Sequence, residues 1–380
     1  MTAVPASLRE GLYLGLISGT SMDGVDAVAV ELERNRLHTL AALTYAYAPA
    51  LRQRLHEIIS PDARLTLHEL ASLDIAVGHA FAAAALAVLQ SAARTARDVS
   101  AIGSHGQTLR HGPREATPYT MQIGDPATIT ATVGALTVAD FRRLDIAYGG
   151  EGAPLVPPFH AWALGSSTEN RVIANIGGIA NLTLLTAGSS APSVGFDTGP
   201  GNCLMDEWSM QERSLPYDDE GAWAAQGMVS PDLLADLLAD PYYASPPPKS
   251  TGREVFNLAY LRQRLLPGRG LAPVDVQATL AELTVETLAR EIERLPPGWT
   301  SALYVCGGGA RNRHLMSRLA QRLAPLAVHP TSELGLDPSM VEATAFAWLA
   351  AMRVSGQAVS LTTGARVPAL LLGAVYSPAP

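Results

Sequence analysis

The sequence predicts an α/β protein of two domains. Three observations carry that expectation: strands and helices alternate along the chain, a glycine-rich β-hairpin opens each half, and the length suits two ordinary domains. The chain has 380 residues, and a domain takes roughly 100–200. Apolar residues make up 48% and charged residues 16%, enough for a large core and incompatible with wholesale disorder. Net charge is −8, so no basic face is implied and nucleic acid is not an expected partner. The longest apolar run, Ala80–Leu89, is about half of the ~20 residues that span a bilayer, so no membrane segment is expected. Met1–Glu10 has no apolar stretch of the signal-peptide kind. The two cysteines, Cys203 and Cys306, allow neither a disulfide scaffold nor a cysteine-rich zinc site and fit the reducing cytoplasm.

The first half reads strand, turn, strand. Leu12–Ile17 and Val25–Leu32 are apolar and β-prone, with Gly19–Gly24 between them, and a third strand is expected near Leu37–Leu43. Leu70, Leu73, Val77, Phe81, Ala84 and Val88 recur at spacings of three and four, which predicts a helix from Leu67 to about Thr95 with a core-facing stripe. Short strands are expected at Ala101–Ser104 and Leu136–Ala139, and between them Asp125 caps a helix with Pro126 in its first turn.

Near residue 138 the pattern restarts. Arg171–Asn175 and Asn181–Leu185 form a second strand pair joined through Gly177-Gly178-Ile179-Ala180. Helices are expected at Asn202–Gln211, Pro231–Leu238 and Asp275–Leu295. Three successive prolines make Pro246–Gly252 a loop. A strand at Leu303–Cys306, the run Gly307–Gly309, a helix at Asn312–Leu323 and a last helix from Pro338 to Arg353 complete the pattern. The two hairpins, near residues 21 and 178, read either as two phosphate-holding loops or as a chance likeness between common turns.

Five clusters can carry chemistry. In Gly19-Thr20-Ser21-Met22-Asp23-Gly24-Val25-Asp26, glycines let the backbone approach an anion and successive N–H groups form a nest. Asp23 and Asp26 can hold a hydrated Mg²⁺; the plainer reading is a hairpin loop. Gly195–Asn202 delivers Asp197 to a Gly/Pro-rich turn before a helix, where the acid serves as a base or merely caps the helix as an Asx-turn. Val305–Asn312 ends a buried strand in three glycines, a surface for a nucleotide base or sugar or simply a tight turn. Ser104–Thr108, Asp140–Arg143 and Gly149–Pro154 form a polar group. There His105 and Gln107 can bind hydroxyls or an amide, and Arg142 or Arg143 can clamp a carboxylate; taken singly, each also reads as a loop residue. Glu342, alone among Val341, Ala343, Phe346 and Ala347, either complements a helix dipole or adds a second carboxylate. Both cysteines read as small core fillers.

Together these motifs resemble the anhydro-N-acetylmuramic acid kinases. The likeness rests on Gly19–Asp26, Gly103–Thr108, Asp140–Pro158, Asn175–Leu182, Gly195–Asn202, Pro246–Asn257, Gly307–Asn312, Leu336–Glu342 and Thr363-Gly364-Ala365. The set is highly specific and begins after about the tenth residue. It implies the two-lobed actin-like ATPase fold, ribonuclease-H-like, with mixed sheets flanked by helices and ATP and sugar in a cleft. Lobe I is then expected at 1–137 plus 355–380 and lobe II at 138–354, hinged near 138 and Arg353.

The resemblance also implies the reaction. ATP, water and 1,6-anhydro-N-acetylmuramic acid give ADP and N-acetylmuramic acid 6-phosphate. Asp197 would activate the water and Glu342 would assist. Gly19, Thr20, Ser21, Met22, Asp23, Gly24, Val25 and Asp26 would hold phosphates and Mg²⁺, with Asn175, Gly177 and Gly178 as the second phosphate loop. Gly307, Gly308, Gly309 and Asn312 would take adenosine. His105, Gln107, Gly199 and Asn202 would line the amino-sugar, with Arg142 or Arg143 on its lactyl carboxylate. A homodimer is implied too. Two positions depart from the family pattern: Tyr148 replaces a small residue and Glu151 an amide. A simple hydroxyl-phosphorylating sugar kinase is the alternative on the same fold. A nucleotide-switched binding module would need a peptide-binding domain for which no residues remain.

Overall fold

A computed structural model describes residues 8–19, 22–33, 36–59, 63–189, 193–265, 270–361 and 367–379. Thr20, Ser21 and Thr363–Ala365 lie outside the described residues. The chain divides into two compact units, Met1–Leu164 with Met340–Pro380, and Gly165–Ser189 with Ser193–Ser339.

In the first unit β1 (Gly11–Ser18), β2 (Gly24–Glu33) and β3 (Arg36–Ala46) make an antiparallel meander. On its other side β1 pairs in parallel with β4 (Val99–Gly112). The far end of β4 carries the antiparallel β5 (Tyr119–Ile123), and β4 also pairs in parallel with β6 (Thr137–Ala139). The last strand, β12 (Ala374–Tyr376), closes the edge on β6.

Helices α1 (Pro49–Ile59), α2 (Leu67–Ser91), α3 (Pro126–Val133), α4 (Arg143–Ala147) and α5 (Pro157–Leu164) follow the chain. Thr66 and Glu69 form a reciprocal capping box at the start of α2. Its expected stripe is the buried face: Leu73, Val77, Phe81, Ala84 and Val88 share one core with Leu12, Leu14 and Leu16 of β1. By length and composition alone α2 could cross a membrane, which the ten-residue apolar run did not suggest; in the fold it lies on β2 and β3. Asp125 caps α3 as expected, accepting from the Thr128 N–H at 2.7 Å.

The opposite face of β1 meets α12 (Val341–Val354). Gly15 and Gly103 are paired across β1 and β4. A Cβ on Gly15 would overlap the Ala343 carbonyl, and one on Gly103 the Phe346 carbonyl. The missing side chains are what let the helix seat on the sheet.

In the second unit β7 (Arg171–Ile176), β8 (Ile179–Leu185) and β9 (Val194–Pro200) repeat the antiparallel meander. β10 (Ala302–Cys306) pairs in parallel with β7, and β11 (Ala327–Pro330) with β10. Its helices are α6 (Cys203–Arg213), α7 (Pro231–Leu238), α8 (Pro241–Ala244), α9 (Leu258–Arg264), α10 (Pro273–Glu293) and α11 (Arg313–Leu323). Val285, Leu288 and Ile292 of α10 and Leu315 and Leu319 of α11 pack on Val172 and Ala174 of β7. Val276, Leu280 and Leu283, also on α10, pack with α6, α7 and α9.

The strand orders β3-β2-β1-β4-β6 and β9-β8-β7-β10-β11 are the same path with the same directions. Each sheet is therefore a ribonuclease-H-like meander plus two parallel strands, and the two glycine hairpins occupy the same place in both.

The unit boundaries differ from the expected 137 and 354. Thr137 and Val138 of β6 are bonded to Ile102 and Gly103 of β4, and α12 packs on β1 and β4, so both belong to the first unit. The elements not anticipated are α1, β5, α4, α5, β9, α8, α9, β11 and β12. They are short or interrupted by glycine and proline, and they carry too few apolar repeats to show a period.

Candidate active site

The turn between β1 and β2 is shaped by its own backbone. The Met22 N–H donates to the Gly19 carbonyl at 3.2 Å, with Met22 buried at φ 52°. Ser18 Oγ donates to the Gly24 carbonyl at 2.8 Å. Asp23 is ion-paired with Arg52 of α1. Asp26 lies within β2 opposite Ile17, and its Oδ1 accepts from the Thr44 hydroxyl at 2.6 Å. No cluster of three His, Cys, Asp or Glu side chains able to hold a metal occurs among the described residues. Asp26 suits a hard cation that keeps several waters, whereas Asp23 would first have to release Arg52.

Gln107, expected on the sugar, reaches this same turn: its Nε2 donates to the Gly19 carbonyl at 3.5 Å. His105 is buried, and its ring lies tilted against Phe346 with centroids 4.7 Å apart. Arg142 donates from Nε to His105 Nε2 at 2.8 Å and from Nη1 to the Gly152 carbonyl at 2.9 Å. Burial, then the Arg142 charge, hold His105 well below the usual histidine range. Arg143 instead points an exposed side chain toward Asp140, 3.6 Å away. The two departures are both accommodated: Tyr148 is exposed, and Glu151 takes Arg114 at 2.6 Å. Glu342 lies in the first turn of α12, the one partly exposed residue in the run Val341–Met352.

In the second unit the hairpin turn is Gly177-Gly178. The Gly178 carbonyl accepts from the N–H groups of Gly201 (2.9 Å) and Cys203 (3.1 Å), and the Gly177 carbonyl from that of Asn202 (2.8 Å). Asn202 Nδ2 adds a bond to the Ile176 carbonyl at 3.1 Å. Thr284 of α10 supports the same segment from below, donating to the Gly201 carbonyl at 2.9 Å. Gly307, at φ 79°, would drive a Cβ into Asn175 and Ile176, so the glycine run is packed tightly on the end of β7. Asn312 caps α11 by accepting from the Leu315 N–H at 2.9 Å. Both cysteines are buried, and burial pushes the Cys203 thiol up to about 12.

Asp197 corrects the expected local structure. It sits inside β9 opposite Asn181 rather than in a turn, and it caps no helix. Cys306, Asn175, Asn181 and Asp197 fall in one row across the sheet. Its carboxylate Oδ2 accepts from the Thr251 N–H at 3.0 Å, its own N–H donates to the Lys249 carbonyl at 2.9 Å, and its carbonyl accepts from Tyr242 Oη at 2.8 Å. Sequence reasoning passed over these three partners. One signal was available: Lys249 is the only lysine in a chain with 26 arginines.

A duplicated meander-plus-parallel sheet, with a glycine hairpin at the matching turn of each copy, defines the actin-like ATPase fold class. The family model "Anhydro-N-acetylmuramic acid kinase" matches residues 11–378. Proteins of that description are 46% identical over 366 residues in Coxiella burnetii (strain Dugway 5J108-111), covering 96% of this chain and 97% of the relative. In Xanthomonas campestris pv. campestris (strain 8004) identity is 46% over 379 residues, covering 98% and 99%. In Xanthomonas oryzae pv. oryzae (strain MAFF 311018) it is 47% over 370 residues, covering 96% and 97%. The chain belongs to the anhydro-N-acetylmuramic acid kinase family.

Proposed function

We propose that the chain opens the 1,6-anhydro ring of 1,6-anhydro-N-acetylmuramic acid with water and phosphorylates the freed O6, in the cytoplasm, as a homodimer. Asp197 takes a proton from water, and the oxygen attacks C1. The C1–O6 bond breaks, O6 receives the γ-phosphoryl group, and ADP leaves. A glycosidase ordinarily uses a second carboxyl group to protonate its leaving oxygen. Here the phosphoryl group is the electrophile for that oxygen, so a single base suffices. Positioning and charge neutralisation supply much of the remaining acceleration.

The observation that carries this reading is the Thr251 N–H on Asp197 Oδ2. A carboxylate so held has a fixed direction. Glu342 would orient that water or a sugar hydroxyl. Gly19–Asp26 and Asn175–Gly178 would hold the phosphates. Gly307–Gly309 would take adenosine, and Asn312 would support them as the α11 cap. His105, Gln107, Gly199 and Asn202 would meet the sugar. Arg143 is the better partner for its lactyl carboxylate, because Arg142 already serves His105 and Gly152. Mg²⁺ would neutralise phosphate charge when bound; Asp26 would hold it, with Asp23 once Arg52 lets go.

The test is turnover in H₂¹⁸O. Label entering C1 of the product is expected; label absent from C1 would leave the simple sugar kinase, in which Asp197 deprotonates a hydroxyl. ADP release assayed with the anhydro sugar, the ring-opened sugar and no sugar separates the same two readings.

A further inference from the structure

We propose that Lys249 and Tyr242 are positioning residues that aim the Asp197 carboxylate, and that Lys249 is retained for this. The proposal rests on Asp197 being the base.

Residues 249–251 and α8 hold Asp197 at three points: its N–H through the Lys249 carbonyl, its Oδ2 through the Thr251 N–H, and its carbonyl through Tyr242 Oη. A loop that begins with three prolines makes no strand ladder of its own. Something else must fix it, and that is the Lys249 side chain. Its Nζ pairs with Glu291 Oε1 of α10 at 2.8 Å, both side chains being 4% exposed. It also lies 4.8 Å from the centre of the Tyr242 ring and 3.4 Å from the Tyr242 carbonyl. One ammonium thus ties α10 to the loop and the tyrosine that meet at Asp197.

Arg294 shares the same carboxylate, contacting Glu291 at 2.9 Å and the Tyr243 carbonyl at 3.2 Å. The groups around the clamp are therefore Lys249 on the loop, Tyr242 and Tyr243 on α8, Glu291 and Arg294 at the end of α10, and Asn181 on β8. A compact ammonium fits between an aromatic face, a carbonyl and a carboxylate; a planar guanidinium with five donors does not. That accounts for a lone lysine in a chain otherwise built with arginine.

The experiment compares full-length Lys249→Met, Lys249→Arg, Tyr242→Phe and Asp197→Asn, each checked for folding by circular dichroism. For Lys249→Met, kcat is expected to fall about 10²-fold, the cost of misplacing a reacting group by about 1 Å, with KM for ATP within about twofold. The acid limb of kcat/KM is expected to move to higher pH, because a carboxylate that loses an N–H donor holds its charged form less well. Lys249→Arg should recover only part of kcat. Tyr242→Phe should show a smaller effect in the same direction, and Lys249→Met combined with Tyr242→Phe should be no worse than Lys249→Met.

Wild-type kcat in folded Lys249→Met, or lost kcat with an unmoved acid limb, overturns the proposal. Should Lys249→Met not fold, wild-type kcat and an unmoved acid limb in Tyr242→Phe do the same. Activity surviving in Asp197→Asn would sink the base reading itself. Asp197→Asn inactive with both clamp variants at wild-type level would sink the clamp alone.

Discussion

Arg142 donates its Nε–H to Nε2 of His105 across 2.8 Å. A guanidinium nitrogen cannot accept, so His105 Nε2 must be the acceptor and the ring proton must sit on Nδ1. There it meets the Gly106 carbonyl at 2.9 Å. The neutral Nδ1–H tautomer is fixed from both sides. Long-range ¹H–¹⁵N spectra of the folded protein should show His105 with a protonated Nδ1 and a bare Nε2 down to pH 6. An imidazolium signal at that pH would contradict the assignment.

Two further histidines are kept neutral. Burial lowers His160 to about 3, and burial with the Arg142 charge lowers His111 to about 4. All three bind a proton more weakly folded than unfolded. Below pH 6.5 the unfolded chain therefore takes up protons first and stability falls; above it the penalty vanishes. His160 and His111 each contribute about 1 kcal/mol of loss between pH 7 and 5.5. Unfolding free energies extrapolated from urea at those two pH values should differ by less in His160→Gln, by that same ~1 kcal/mol. An unchanged difference would show that His160 is protonated in the fold.

Gly15→Ala and Gly103→Ala each push a methyl group into a carbonyl of α12. Overpacking of this kind typically costs about 1–3 kcal/mol. Because Glu342 rides on the first turn of that helix, activity should fall with stability. Urea unfolding and kcat on the same preparations check both; a neutral Gly103→Ala would mean that α12 sits farther from the sheet.

The meander of each unit was legible because β1, β2, β7 and β8 are apolar runs bounded by glycine turns, and α2 because its stripe is regular. β9 was not: Gly195, Gly199 and Pro200 look like a turn, and only pairing to β8 makes the segment a strand. Asp197 was thus expected in a turn, whereas it lies within a strand. The clamp was hidden for a related reason. Lys249 and Thr251 act on Asp197 largely through backbone groups, which leave no residue pattern. The expected boundary at 137 failed because β6 finds its partner 35 residues upstream, Ile102 against Thr137, and no local signal reports that.

Glu151 and Arg114 are a pair whose charge is already met. Arg114 is largely exposed, so the bond is worth little, about 0.2–1 kcal/mol. Glu151→Gln should leave kcat unchanged and move KM for the anhydro sugar by less than about threefold, about 0.6 kcal/mol. A tenfold fall in KM would mean that Glu151 faces the sugar carboxylate and repels it.

Asp197→Asn tests the central residue directly. The amide keeps the volume and can still accept from the Thr251 N–H through its oxygen, so β9 and the loop 249–251 should stay in register. What disappears is the ability to take a proton from water. Loss of a general base typically costs ~10²–10⁴-fold, and because O6 exists as a phosphoryl acceptor only once the C1–O6 bond breaks, ring opening and ADP release should fall together. Glu342→Gln should lose less, since that group orients rather than removes a proton. Nucleotide affinity, read by calorimetry, should stay within about twofold in both variants, a change of about 0.4 kcal/mol. ADP release persisting in Asp197→Asn while ring opening stops would separate the two steps and remove the coupling on which the proposed mechanism depends.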